Sequence, residues 1–292
     1  SCGRGGDNQK YTSIQINKKI DFYLGLDISS NVSEAANRYY YESQKTKLPK
    51  ALFLQYDTSQ SIKQKTGCMN EECSQILDIL MNRTKQFPPE YENLYKYYHG
   101  IMNSGFNIIS SQFSFHYYFK TEEMLRGYIE NISELTVKGG FFIGTCYDGA
   151  KIYEHFKYSD KNNLLMKDEY DITVYEIIKK YDIENFDFDE YTYNNMFGNQ
   201  IDVYMSSIGQ YIPEYLVNFD MVVTMMKQYG FELYNPGHRV INSSLGDFSD
   251  VIKNIDSIIQ NESQTIKKLY RLAPNIKDNS ELSKLSGFNK WF

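Results

Sequence analysis

Residues 22–27 read Phe-Tyr-Leu-Gly-Leu-Asp, downstream of a loop reading Ser1-Cys2-Gly3-Arg4-Gly5-Gly6-Asp7. A short apolar run closed by an acid predicts a buried strand of a parallel sheet. Glycines in the loop let the backbone turn tightly and bring main-chain N–H groups close to a ligand. An acid about twenty residues past such a loop accepts two ribose hydroxyls in dinucleotide folds, and Asp27 stands at that distance. Loop and acid together favour a nucleoside-type cofactor, without separating one such cofactor from another. Each has a plainer reading, as a Gly-rich segment and as a helix-capping Asp.

The pattern repeats outward from this stretch. Residues 31–46 predict a helix, with Ala35 and Ala36 inside it, and 51–55 (ALFLQ) a strand ending near Asp57. Residues 106–111 and 140–145 (GFFIGT) predict two more strands. Between them, 121–136 predicts a helix: Thr121 caps it, Glu122 and Glu123 suit its positive start, and Gly139 stands just past its end. Alternating strands and helices imply a doubly wound α/β fold, Rossmann-like, covered on both faces. Residues 58–104 interrupt it as a helical insertion, and 157–200, polar and aromatic, as a lid or small subdomain. A helix is expected at 220–230, a strand at 231–235 and an amphipathic helix around 249–270. The whole reads as one domain, 1–292. A doubly wound sheet needs a strand feeding its first glycine loop, so an apolar segment ending in Asp or Glu is expected upstream of Ser1. Trp291-Phe292 likewise reads as the start of a further strand.

Composition narrows the function classes. With 41% hydrophobic residues among 292, the chain has ample material for a core, and its 27 Tyr add rings that bury while their hydroxyls seek partners. A net charge of −6 does not suit a general nucleic-acid coat. It still permits a few local Arg and Lys residues to hold one nucleotide end. The cysteines, Cys2, Cys68, Cys73 and Cys146, form no zinc pattern and are expected to be reduced thiols. No apolar run approaches the ~20 residues needed to span a bilayer, and Ser1–Asp7 does not read as a secretory signal.

Residues 110–119 read Ser-Ser-Gln-Phe-Ser-Phe-His-Tyr-Tyr-Phe. This run resembles the active-site motif of messenger RNA cap guanine-N7 methyltransferases. Gly139–Thr145 (GGFFIGT) is similar to that family's GGYFIGT strand, and SCGRGGD to its GCGKGGD, with Arg4 for the usual Lys. Residues 27–38 (DISSNVSEAANR) and 213–219 (PEYLVNF) resemble further motifs in the same order and rough spacing. The resemblance covers most of 1–57 and 106–235. It implies a class I fold using S-adenosylmethionine, yielding S-adenosylhomocysteine, with no metal.

The resemblance also implies roles. Ser1, in place of the usual Gly, and the Gly3 backbone would line the methionine part of the cofactor. Asp27 would hold the ribose and Asp57 meet the adenine amino group, while Gln112 and Tyr117 flank the sulfonium. His116 and Glu214 would read guanine, and Arg4, Lys10 and Arg38 would contact the phosphate bridge. Tyr117 joins His116 and Glu214 in alignment, and no acid–base residue is required. Phe113 and Phe115 read as core, though Phe113 could touch adenine. Each polar assignment has a plainer rival: a core histidine, a solvated strand Glu, surface charges. Two family features are missing here, a Lys-bearing helix before the first strand and a Tyr near the C-terminal strand, where residues 286–292 read SGFNKWF. Long insertions and abundant Asn, Ile, Lys and Tyr resemble the methyltransferase portion of a large DNA virus capping enzyme. This implies upstream triphosphatase and guanylyltransferase domains, capped RNA 5′ ends as partner, no membrane, a stimulatory subunit in some relatives, and a cytoplasmic or virion location. The alternatives are methylation of another substrate and a non-catalytic cap-binding module.

Overall fold

The computed structural model describes residues 2–8, 20–234, 246–247 and 289–291. The chain divides into two compact units, residues 1–112 with 126–142, and residues 113–125 with 143–292.

The first unit opens on a β–α–β unit. Strand β1 (Phe22–Asp27) lies parallel to β2 (Lys50–Gln55), in register from Phe22↔Lys50 to Asp27↔Gln55. A parallel pair needs a crossover, supplied by helix α1 (Val32–Ser43). It buries Val32, Ala35 and Tyr39, spaced three and four residues apart along one helical face. The 58–104 segment carries two α-helices. Helix α2 (Glu71–Leu80) starts at Asn70, whose side chain accepts from Cys73 N, and α3 (Glu92–Tyr98) follows. Ile76, Leu77 and Leu80 join Leu54, Tyr56, Ile62, Met102 and Leu135 in one core cluster, so the insertion is built into the packing of β2.

Strand β3 (Phe106–Gln112) neighbours β4 (Thr136–Tyr147), and helix α4 (Glu122–Leu135) connects them. Here the structure corrects one expectation. The helix passes directly into β4 at Thr136, so Gly139, at φ +79°, bends a strand and closes no helix.

In the second unit, the last residues of β4 pair antiparallel with β10 (Asn289–Trp291), as Thr145↔Trp291 and Tyr147↔Asn289. Lys290 pairs onward with Asp247 in β9 (Gly246–Asp247). Helix α5 (Gly149–Lys157) leads to an antiparallel sheet of β5 (Asn163–Lys167), β6 (Thr173–Lys179), β7 (Gln200–Met205) and β8 (Tyr211–Tyr215) in that order. The 157–200 segment thus carries β5 and β6, two of the four strands of this sheet. Pro213 is tolerated in β8 because that strand lies at the edge.

Helix α6 (Phe219–Gln228) matches expectation, but no strand follows at Phe231–Tyr234. Gly230 N donates to Lys227 O and Phe231 N to Met226 O. These bonds close the helix end and use N–H groups a strand ladder would need. The helix expected around 249–270 lies outside the described residues. The fold is mixed α/β, and among the described residues the ladders form a two-stranded and two four-stranded sheets.

Candidate functional site

In the first unit, the glycine loop is tied to the end of β1 by its backbone and by Asp27. Cys2 N donates to Leu26 O at 2.9 Å, and Gly3 N to Asp27 Oδ2 at 2.8 Å, with Gly3 at φ +51°. The other carboxylate oxygen accepts from Ser29 N at 2.9 Å. Asp27, 8% exposed, thus holds the loop before β1 and the turn after it in one geometry. A carboxylate has about four acceptor positions, so capacity remains for two ribose hydroxyls. Among the described residues, a methyl group added to Gly3 or Gly6 would meet no atom within 4 Å. A nucleoside cofactor fits this arrangement.

Asp57 organises the loop after β2. Its N–H donates to Gly67 O at 2.8 Å, and its Oδ1 accepts from Ser59 N and Ser59 Oγ at 3.0 and 2.7 Å. Asn131 of α4 clamps the same loop: its Oδ1 accepts from Ile62 N at 2.8 Å, and its Nδ2 donates to Thr58 O and Gln60 O at 2.9 and 2.7 Å. Asn131 falls in an Asn-x-Ser sequence, but burial and these bonds give it a packing role. Gly127, one turn earlier, has no side chain because a Cβ there would lie 2.0 Å from Ser59 O. Gln112 donates to Ser110 Oγ at 3.0 Å.

The expected phosphate contacts stand in the same unit. Arg4 Nε lies 3.4 Å from Glu34 Oε2, and Arg38 is ion-paired with the other oxygen of the same carboxylate. Both guanidinium groups are at least half exposed, so the pairs are weak and an incoming phosphate competes with them. Ser1 and Lys10 lie outside the described residues.

The second unit carries His116 and Glu214. His116 lies on a 3₁₀ segment (Phe115–Lys120) anchored by fully buried Phe115 and Phe119, with Gly198 N donating to Phe119 O at 2.9 Å. Glu214 on β8 pairs in register with Ile201 on β7. His116 Nε2 and Glu214 Oε2 are 3.3 Å apart, and both residues are buried, at 1% and 5% exposure. Their orientation makes no hydrogen bond. Among the described residues, both ring nitrogens of His116 and the Oε2 of Glu214 have no hydrogen-bond partner. Buried polar atoms left this way cost about 1–3 kcal/mol each and call for a ligand or water. Tyr117 packs edge-on against His116 at 4.4 Å, and Tyr147 stacks on it at 5.7 Å.

Gly149 keeps this site in place: a Cβ on it would meet both Val217 N and Val217 O at 2.5 Å, so the start of α5 abuts the chain leaving β8. Asp148 caps that helix, accepting from Lys151 N at 3.3 Å. Two further residues escaped sequence reasoning. Burial pushes the phenols of Tyr147 and Tyr175 well above their ordinary range, the charge of Glu214 adding to the shift. Nothing in one sequence marks them among 27 tyrosines. Phe113 is no core residue: it is 47% exposed with φ +47°. A bulky residue in that conformation is uncommon and clusters at functional sites. Phe115 is core, as expected.

Among the described residues, no cluster of three or more His, Cys, Asp or Glu has metal-holding geometry, and no helix is long and apolar enough to cross a membrane. The four cysteines are free thiols.

Comparisons with known proteins bear on this arrangement. The chain is 24% identical over 233 residues to an mRNA cap guanine-N(7) methyltransferase of Eremothecium gossypii, covering 80% of this chain and 45% of that protein. It is 28% identical to the Candida albicans enzyme of the same name, over 80% of this chain and 44% of that protein. It is also 28% identical to a probable mRNA-capping enzyme of Acanthamoeba polyphaga mimivirus, over 80% of this chain and 18% of that protein. The chain therefore spans less than half the length of these relatives. Among solved structures, a putative S-adenosylmethionine-dependent methyltransferase from Listeria monocytogenes aligns with TM-score 0.44 and 12% identity, over all of this chain and 85% of that one. The family profile described as the mRNA (guanine-N(7))-methyltransferase domain matches residues 1–269, and the chain belongs to that family.

Proposed function

We propose that this chain transfers a methyl group from S-adenosylmethionine to N7 of the guanosine cap of messenger RNA. The observation that carries the reading is the buried His116–Glu214 pair with its unpartnered nitrogens and carboxylate oxygen. The N1–H and N2–H₂ edge of guanine offers donors that a carboxylate accepts, and His116 beside it supplies a further polar contact.

S-adenosylmethionine, when bound, supplies a methyl already activated by the sulfonium charge. Guanine N7 carries a free lone pair and needs no base, so the chain's residues have to bind and orient. Fixed alignment of this kind is worth roughly 7–11 kcal/mol at best. Glu214 holds the guanine edge, and its carboxylate also opposes the positive charge that develops on the ring as N7 is alkylated. Asp27 presents the glycine loop and its own acceptors to the ribose, and Asp57 faces the adenine side. Ser1, Gln112 and Tyr117 complete the cofactor contacts, and Arg4, Lys10 and Arg38 take the phosphate bridge.

The finer reading places the chain within a larger capping enzyme of a large DNA virus, acting in the cytoplasm or virion. The mimivirus relative supports it. Triphosphatase and guanylyltransferase domains would precede the chain, and a stimulatory subunit would be a further partner.

The test is methyl transfer to guanosine-capped and inosine-capped RNA. Inosine lacks the N2 amino group and should be the poorer substrate. Glu214→Ala should lower kcat/KM on the guanosine cap roughly five- to 150-fold, as a mismatch of about 1–3 kcal/mol implies, with S-adenosylhomocysteine affinity unchanged. Equal rates on both caps together with a fully active variant would refute the reading.

A further inference from the structure

A buried imidazole is commonly oriented by a hydrogen bond from one ring nitrogen to a carbonyl or carboxylate, which uses that nitrogen up. His116 is held differently. It is 1% exposed, and among the described residues neither ring nitrogen has a hydrogen-bond partner. Rings hold it instead. Tyr147 lies against it at 5.7 Å between centroids with 26° between planes, and Tyr117 meets it edge-on at 4.4 Å and 64°. Offset stacking and an edge contact are the two arrangements that aromatic pairs prefer.

The backbone puts Tyr147 in this position. Phe113 N donates to Thr145 O and Thr145 Oγ1, at 2.8 and 3.1 Å, which ties the segment leading to His116 to the end of β4. Gly149 N donates to Val217 O at 3.2 Å, and a Cβ on Gly149 would meet Val217 N and O at 2.5 Å. That second tie joins the same stretch to the chain leaving Glu214. Tyr147 stands two residues from each tie. Its side chain is 4% exposed, with the Phe113 ring tilted against it at 6.4 Å. A side chain this buried, on a backbone held on both sides, presents a fixed plane. The χ2 torsion of histidine is broad and sets its ring plane only loosely. Stacking supplies what that torsion does not, and it consumes neither nitrogen. Nε2 stands 3.3 Å from Glu214 Oε2 without bonding to it.

We propose that Tyr147 is a positioning residue for cap recognition, whose ring sets the plane of the His116 imidazole beside Glu214 and leaves both nitrogens to the guanine. The inference rests on the cap reading above. It gives Tyr147 no contact of its own with the cap or with S-adenosylmethionine. Tyr147 acts through His116.

The experiment measures methyl transfer to guanosine-capped RNA by wild type, Tyr147→Leu, Tyr147→Phe, His116→Ala and the double variant Tyr147→Leu/His116→Ala. Tyr147→Leu removes the flat ring. It should raise KM for capped RNA about three- to tenfold, the weight of one aromatic pair, with kcat and S-adenosylhomocysteine affinity close to wild type. Tyr147→Phe keeps the ring and should change KM less than about twofold. In the double variant, Tyr147→Leu should add less than about twofold to the loss caused by His116→Ala, because its target is already gone. A side chain that only fills space would instead multiply the two losses. Thermal melting and S-adenosylhomocysteine affinity establish that each variant is folded. If Tyr147→Leu does not fold, Tyr147→Met takes its place, filling the space with an unbranched chain. Multiplied losses, no loss in Tyr147→Leu, an equal loss in Tyr147→Phe, or failure of both the Leu and Met variants to fold overturns the inference while cap methylation by wild type stands. A wild type inactive on capped RNA removes the cap reading and this inference with it.

Discussion

Replacing Asp27 by Ala tests whether one carboxylate assembles the glycine loop. The substitution removes two backbone bonds to a charged acceptor, Gly3 N at 2.8 Å and Ser29 N at 2.9 Å. Bonds to charged groups contribute about 1.5–3 kcal/mol each. Asp27 itself is buried, but Gly3 and Ser29 are only half-buried, so water recovers part of the loss when the carboxylate is gone. The expected destabilisation is about 2–4 kcal/mol, toward the low end of the sum. With a urea m-value of about 2 kcal/mol/M, the unfolding midpoint should fall by about 1–2 M. Asp27→Asn keeps one acceptor but turns an amide N–H toward a backbone donor, so it should recover at most half. Calorimetry with S-adenosylhomocysteine should show at least a tenfold loss of affinity for Asp27→Ala, larger than for any surface carboxylate of this unit. A midpoint within about 0.2 M of wild type, with affinity unchanged, would show that neither bond contributes and would remove Asp27 from the site.

The clamp on the Asp57 loop gives a second expectation. Asn131→Ala loses three bonds and strands Ile62 N, which should cost about 2–4 kcal/mol in a thermal or urea melt; Asn131→Asp should not rescue it, because an oxygen then faces the carbonyls of Thr58 and Gln60. Glu34→Gln frees Arg4 and Arg38 at little cost in stability, under about 1 kcal/mol. It should tighten binding of inorganic triphosphate severalfold in titrations at low salt, the gain fading as salt rises. At high pH, Tyr56 should set part of the stability limit. Burial pushes its phenol up to about 12 from the ordinary 10, so its contribution is complete below pH 10 and is lost as pH rises toward 12. Urea midpoints measured between pH 9 and 12 should be flat at first and then fall, and a flat profile throughout would contradict the burial of this ring.

How much of the site could be read in the sequence depended on whether its residues are local in the chain. The FYLGLD strand, the crossover helix and the ALFLQ strand were legible because apolar periodicity is a property of neighbours. The same holds for the α4 start at Thr121-Glu122-Glu123. Helix and strand ends were less legible. Gly139 has the sequence of a helix stop, yet α4 passes into β4 before reaching it. Phe231–Tyr234 has the apolar content of a strand, yet its N–H groups near the helix end are spent on closing α6. Those outcomes depend on competition for hydrogen bonds, which local composition does not express.

The family resemblance singled out His116 and Glu214, nearly a hundred positions apart, without saying what lies between them. The sequence by itself determined the glycine-rich loop with Asp27 at the end of the strand that follows, the α/β alternation and the chemical types at the expected cap contacts. Only the tertiary structure decided that His116 and Glu214 are buried 3.3 Å apart with atoms left unpartnered. It also decided that Arg4 and Arg38 share Glu34, and that Tyr147 stacks on His116. The physical reason is that a side chain's chemistry is fixed by its type, whereas its desolvation and its partners are set by strand register and by the close backbone approach that Gly149 allows.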